Sequence, residues 1–268
     1  MKLFITFIFI FCVCHALPSV ENSPLIVGGD DAVEGAAPFM VSVQSVAIVI
    51  SRQKISNHPP LYIGSDVISF ADQVRSLGLI IDCQLTWKNH VDKIYCNAMA
   101  SIQTLRKSIK ITPEKTRKLL INSLVMPQIL YCSNIFMGCN RSCWATISLI
   151  FNACLRYAFD LKKFESISPY RNKLLECSIE NYVQYRACLF LFQLLKNKQP
   201  EYLYREINFP RFPRNRALSF PDMRKTKQSD CSFFVYGVRL WNSLSSEIRL
   251  LESVTEFRSQ CMGHFSDT

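Results

Sequence analysis

The spacing of apolar positions changes about a third of the way along the chain. Val46–Ile50 is an unbroken apolar run, which predicts a buried strand. Leu61–Ile63 and Val67–Phe70 flank Gly64-Ser65-Asp66 and predict two strands joined by a tight turn. Val74–Ile81 reads as one further strand, with Asp82 at its end. From Asn89 the spacing becomes three and four. Val91, Ile94, Tyr95, Ala98, Ile102 and Leu105 form the stripe of a helix. Thr112-Pro113-Glu114 opens a second helix, with a capping hydroxyl, a proline suited to the first turn and a carboxylate suited to the positive helix end. This helix runs to about Met126, where Pro127 should bend or break it, and Gln128–Met137 continues as a second helical piece. Trp144–Phe159 buries Ile147, Ile150, Phe151, Cys154, Leu155 and Ala158, and Ile179–Leu195 offers Tyr182, Tyr185, Leu189, Phe192 and Leu195. Prolines between Pro200 and Pro221 interrupt both element types, so this stretch, with Arg211, Arg214 and Arg216, reads as a basic linker. Phe233–Tyr236 is expected to be a short aromatic strand and Thr255–Met262 a closing helix. The expected class is α-rich α+β, a small sheet followed by helices, and there is no internal repeat.

Composition supports a packed core, because 49% of the 268 residues are hydrophobic and 19% are charged. The 8 glycines are few for a protein built from tight β-turns. Charge is uneven. Residues 1–44 hold Lys2 against Glu21, Asp30, Asp31 and Glu34, so the other residues hold 30 basic and 17 acidic, a net +13. That balance fits a polyanionic partner, nucleic acid or an anionic membrane surface, and equally a solvated basic surface. Met1–Ala16 has the form of a secretory signal, with Lys2 before an apolar Leu3–Val13 and a small residue at Ala16. It is too short for a stable membrane span, and no later run is long enough for one. The cysteines point the other way. Cys96, Cys132, Cys154 and Cys188 lie in helical patterns like small buried hydrophobes of a reduced protein, and Cys139 with Cys143 is a weak zinc signal. No metal or cofactor is expected.

Ile26–Gln44, "IVGGDDAVEGAAPFMVSVQ", resembles the mature start of a trypsin-like serine protease, which would make Ile26 a new amino terminus. Leu25 stands where such a protease would carry Arg or Lys. Neither Ala-Ala-His-Cys nor Gly-Asp-Ser-Gly-Gly occurs, and His15, His58, His90 and His264 lie in other contexts, so the triad is missing.

The remainder resembles something else. "SLGLIIDCQLTWKNHVDKI" (Ser76–Ile94), "ITPEKTRKLLINSLVMPQILYC" (Ile111–Cys132), "FNACLRYAFDL" with "ISPYRNKLL" (Phe151–Leu175) and "VYGVRLWNSLSSEIR" (Val235–Arg249) resemble, in order, the post-palm, thumb and carboxyl-terminal regions of jockey-type non-LTR retrotransposon reverse transcriptases. These readings together divide the chain into a signal (1–16), a protease-like piece (17–44), palm-end strands (45–88), thumb-like helices (89–199), a basic linker (200–222) and a terminal strand and helix (223–268). It begins after the Tyr-x-Asp-Asp turn that would hold catalytic metal ions, and the one Asp-Asp pair, Asp30-Asp31, has no Tyr before it. The expectation is a catalytically incomplete fragment that binds DNA or RNA non-specifically. Lys88, Arg106, Lys107, Lys110, Lys115, Arg117 and Lys118 are its candidate phosphate contacts, and Trp87, Trp144 and Trp241 its stacking or core aromatics. The alternative is a truncated secreted trypsin-like protease without its triad. The signal directs export, whereas the body looks cytoplasmic or nuclear. The missing half of the parent core predicts exposed apolar patches, and an isolated head predicts loose packing.

Overall fold

The structure, a computed structural model, describes residues 46–50, 61–63, 66–210, 215–221 and 232–266. Residues 1–16, residues 17–44 with Ile26 among them, and Arg211 and Arg214 lie outside them. The chain divides into two compact units, Met1–Gln84 and Leu85–Thr268. The class is α-rich α+β, as the apolar spacing predicts.

The first unit holds the strands. β1 (Val46–Ala47) runs parallel to β3 (Asp66–Phe70), and β2 (Leu61–Ile63) pairs antiparallel with β3, Ile63 opposite Asp66. β1 stops at Ala47, so the run to Ile50 is not all strand. The expected single strand Val74–Ile81 is instead a hairpin of β4 (Gln73–Ser76) and β5 (Leu79–Asp82), with Ser76 opposite Leu79. The reason is the intervening pair. Leu77 has φ 46° and Gly78 φ 88°, the two positive values of a reversing turn whose twist matches the flanking strands. Leu79 and Ile81 are the buried positions of the hairpin.

The second unit is helical. α1 (Lys88–Arg106) buries His90, Val91, Ile94, Ala98 and Ile102 and packs on α5 (Arg141–Ala158). The helix that follows starts at Glu114. Thr112 does not cap it, because its hydroxyl donates 2.8 Å to the Ser108 carbonyl, and Pro113 takes the cap position. α2 (Glu114–Leu120) passes into a π-helical turn, Ile121–Val125, and then α3 (Met126–Leu130). Pro127 neither breaks nor sharply ends this helix. It lacks an N–H and its ring crowds the carbonyl four residues back, so the preceding turn widens and Met126 N–H bonds to Ile121 instead. Helical geometry then stops at Tyr131 and Cys132, whose φ is 51°, and resumes only as the single turn α4 (Ser133–Phe136).

After α6 (Asn172–Leu175) comes α7 (Ile179–Asn197), the centre of the unit, which touches α4, α5, α8 (Glu201–Arg205), α9 (Phe233–Ser243) and α11 (Val254–Ser266). α10 (Ser246–Leu250) packs on α11. Ser178 caps α7 and Asn140 caps α5, each accepting the N–H three residues on. Phe192, Phe257 and Trp241 form a stack, with centroid separations of 4.1 and 5.9 Å. Phe233–Tyr236 is the first turn of α9, not a strand. Ser232 caps it, and Phe233, Phe234, Gly237, Val238 and Trp241 recur at helical spacing on the buried side. Gly237 allows α9 to approach α7, since a Cβ there would lie 3.1 Å from Leu191 Cδ1.

The described part of the linker is docked rather than loose. Trp241 Nε1 donates 2.8 Å to the Arg216 carbonyl, and the Asn242 amide accepts from Leu218 N–H and donates to its carbonyl at 3.0 and 2.8 Å. Cys154 and Cys188 are buried as expected, but Cys96 is exposed on the outer side of α1. Large apolar side chains do stand in solvent, among them Ile111, Leu119 and Leu149.

Candidate nucleic-acid interface

The candidate cations do not form one cluster. Lys88 opens α1, and Arg106 ends it about 27 Å away at 1.5 Å per residue. Arg106 and Lys107 at the end of α1, Lys110 in the following turn and Lys115 in the first turn of α2 are all exposed. They surround one corner. Arg117, at its centre, is occupied. Its Nε donates 3.1 Å to the Ala158 carbonyl, and its Nη1 reaches the Thr112 carbonyl at 2.9 Å and the Ile109 carbonyl at 3.5 Å. Lys118 pairs with Glu114 at 2.6 Å and lies 4.5 Å over the Phe159 ring.

Those contacts join the corner to the end of α5 and to the chain beyond it. Phe159 packs on Tyr170 at 4.7 Å, and Lys173 lies 4.8 Å over the Tyr170 ring. The hydrogen-bonded Lys118 ammonium holds the Glu114 carboxyl below its ordinary range, with the Arg117 and Lys173 charges adding to the effect. Segments 106–118 and 156–173 thus meet at one end of the helical unit. Together they hold 11 basic and 3 acidic residues. Lys162, Lys163, Arg171 and Lys173 are exposed members that the sequence reading did not single out. Their signal was local. Basic and aromatic residues alternate closely from Lys162 to Lys173.

The tryptophans divide. Trp87 and Trp241 are buried, and Trp144 is half-buried with Nε1 donating 3.2 Å to the Met137 carbonyl. All three are held in the fold rather than displayed. Arg216 donates 3.0 Å to the Leu251 carbonyl and lies 3.7 Å from Glu252. Cys143 is buried with its thiol toward the Thr86 carbonyl at 3.8 Å, while Cys139 is half-buried. Among the described residues, no three His, Cys, Asp or Glu side chains come together in a way that could hold a metal ion. No described helix is long and apolar enough to cross a membrane.

No family model, curated protein or solved structure matches the chain. The surface itself is therefore the guide. It can offer many positive charges at close spacing, a few aromatic rings among them, and little that would recognise a particular base.

Proposed function

We propose that the chain is a catalytically incomplete, retroelement-derived fragment, similar to the carboxyl-terminal part of a non-LTR reverse transcriptase, whose remaining capacity is sequence-tolerant binding of nucleic acid. The observation that carries the reading is the basic end of the helical unit, where two segments distant in sequence pool 11 basic against 3 acidic residues. Phosphates accept hydrogen bonds from Lys and Arg whatever the base, so such a surface favours binding without readout. The stretch that resembles thumb helices, Ile111–Cys132, supplies α2 at this corner and then the π turn and α3. Polymerase chemistry is not part of the proposal, because the sequence has no Tyr-x-Asp-Asp turn.

The test is binding of a labelled 20-nucleotide single strand and its duplex, followed by anisotropy across salt. With about five phosphates engaged, log K should fall against log salt with a slope of about −4.5 for duplex and about −3.5 for single strands. The double variant Lys110→Glu, Lys115→Glu should bind more weakly and with a shallower slope. No binding of either form at about 50 mM salt would refute the proposal.

A further inference from the structure

Phe164 stands at the tip of a turn, where the neighbouring Lys163 ammonium approaches its ring and most of the ring is open. Glu165 N–H donates 3.1 Å to the Lys162 carbonyl, which closes a four-residue turn with Lys163 and Phe164 at its centre. The turn is held from several sides. Lys162 N–H donates 3.0 Å to Glu165 Oε2, Arg156 Nη1 donates to the Lys162 carbonyl, and Leu161 N–H donates 2.9 Å to the Arg156 carbonyl. Turn tips favour Gly, Pro, Asn, Asp and Ser, which set or tolerate the backbone and bury nothing. Here the tip is a phenylalanine 93% exposed. Lys163 Nζ lies 5.6 Å from its centroid, and the rest of the ring is open.

We propose that the Lys162–Glu165 turn is a stacking platform for single-stranded nucleic acid, with Phe164 receiving a base and Lys162 and Lys163 meeting the phosphates beside it. The proposal rests on the reading of this end as a phosphate-binding surface and adds a preference that charge alone lacks. Base faces within a duplex are already stacked on one another, so a protruding ring finds a partner only where bases are unstacked. Stacking on an aromatic ring is tolerant of sequence, because every base has a π-face. Glu165 turns its carboxylate onto the turn's own backbone, and the tip holds two ammonium groups against this one carboxylate. An anionic bilayer would want a broad apolar face, and this turn offers one ring next to an exposed Ser166. A second copy would bring a like-charged surface to meet this one.

The experiment uses the full chain as wild type, Phe164→Ala and Phe164→Trp, with the same 20-nucleotide single strand and duplex and with phosphatidylserine–phosphatidylcholine vesicles. Wild type should prefer the single strand. Phe164→Ala should lose about 5- to 150-fold in single-strand affinity, the range that stacking supplies, with duplex affinity and the salt slope unchanged. Phe164→Trp should retain the single-strand preference. A side chain this exposed should leave the far-UV circular dichroism unaltered in both variants. Equal binding of single strands by Phe164→Ala and wild type would overturn the platform while leaving the phosphate reading intact. So would an equal loss on both nucleic acids, or a loss confined to phosphatidylserine–phosphatidylcholine vesicles. Failure of wild type to bind either form would remove both proposals.

Discussion

Replacing Arg117 by lysine keeps one positive charge and removes the fork that ties three backbone carbonyls together. The guanidinium makes two good hydrogen bonds, 3.1 Å to Ala158 and 2.9 Å to Thr112, and a long one of 3.5 Å to Ile109. Hydrogen bonds from a charged donor contribute about 1.5–3 kcal/mol each when lost from a buried site. Here the side chain is half-buried, so water can re-satisfy part of what is lost, and lysine can still reach one carbonyl. The expected net cost is about 2 kcal/mol, which for a unit of this size lowers the melting temperature by about 4–8 °C. Thermal unfolding by far-UV circular dichroism measures it. The salt dependence of nucleic-acid binding should not change, because Arg117 is engaged inside the corner and its charge is kept. A variant with a wild-type melting temperature would refute this reasoning.

Burial, with the Lys93 charge adding to it, pushes the His90 imidazole down from 6.5 to about 4. The unfolded chain therefore takes up the proton first, and the His90 contribution should lower stability as pH drops from about 6.5 to about 4, by at most about 3 kcal/mol. Urea midpoints across that window check it, and His90→Phe should flatten the curve there. The fully buried Tyr157 hydroxyl makes no hydrogen bond, so Tyr157→Phe should be neutral or stabilising by up to about 1 kcal/mol in urea unfolding. Gly237→Val should destabilise the unit by about 1–3 kcal/mol in the same assay, because the added methyls must displace Leu191 from the α7–α9 contact.

The helices with one clear apolar stripe were legible from sequence. Val91, Ile94, Ala98 and Ile102 repeat at the period of burial on one helix face, chiefly against α5, and the structure buries those four. Phe233–Tyr236 misled for the opposite reason. Four consecutive bulky residues favour a strand by intrinsic preference, and only the longer pattern through Val238 and Trp241 reveals the helix that tertiary packing selects. Val74–Ile81 hid its hairpin in a Leu-Gly pair, a weaker turn signal than Asn-Gly. The basic corner was half legible. Residues 106–118 announce themselves by density of charge. Their union with 156–173 depends on a hydrogen bond between Arg117 and a carbonyl 41 residues away, which no local pattern encodes.

The widened turn at Ile121–Val125 bears on how this helix tolerates changes of length. A π turn holds one residue more than the α-helical turn it replaces, as though a single codon had been added to a regular helix. Removing exposed Leu124, with Pro127 replaced by a residue that has an N–H, would let the backbone return to ordinary helical pairing there, with α2 and α3 kept in their present phase. The same deletion in α5 would instead rotate every later buried position by about 100° off the core. Within the stretch from Glu114 to Leu130, this turn is the place where a one-residue deletion can be absorbed once Pro127 is replaced.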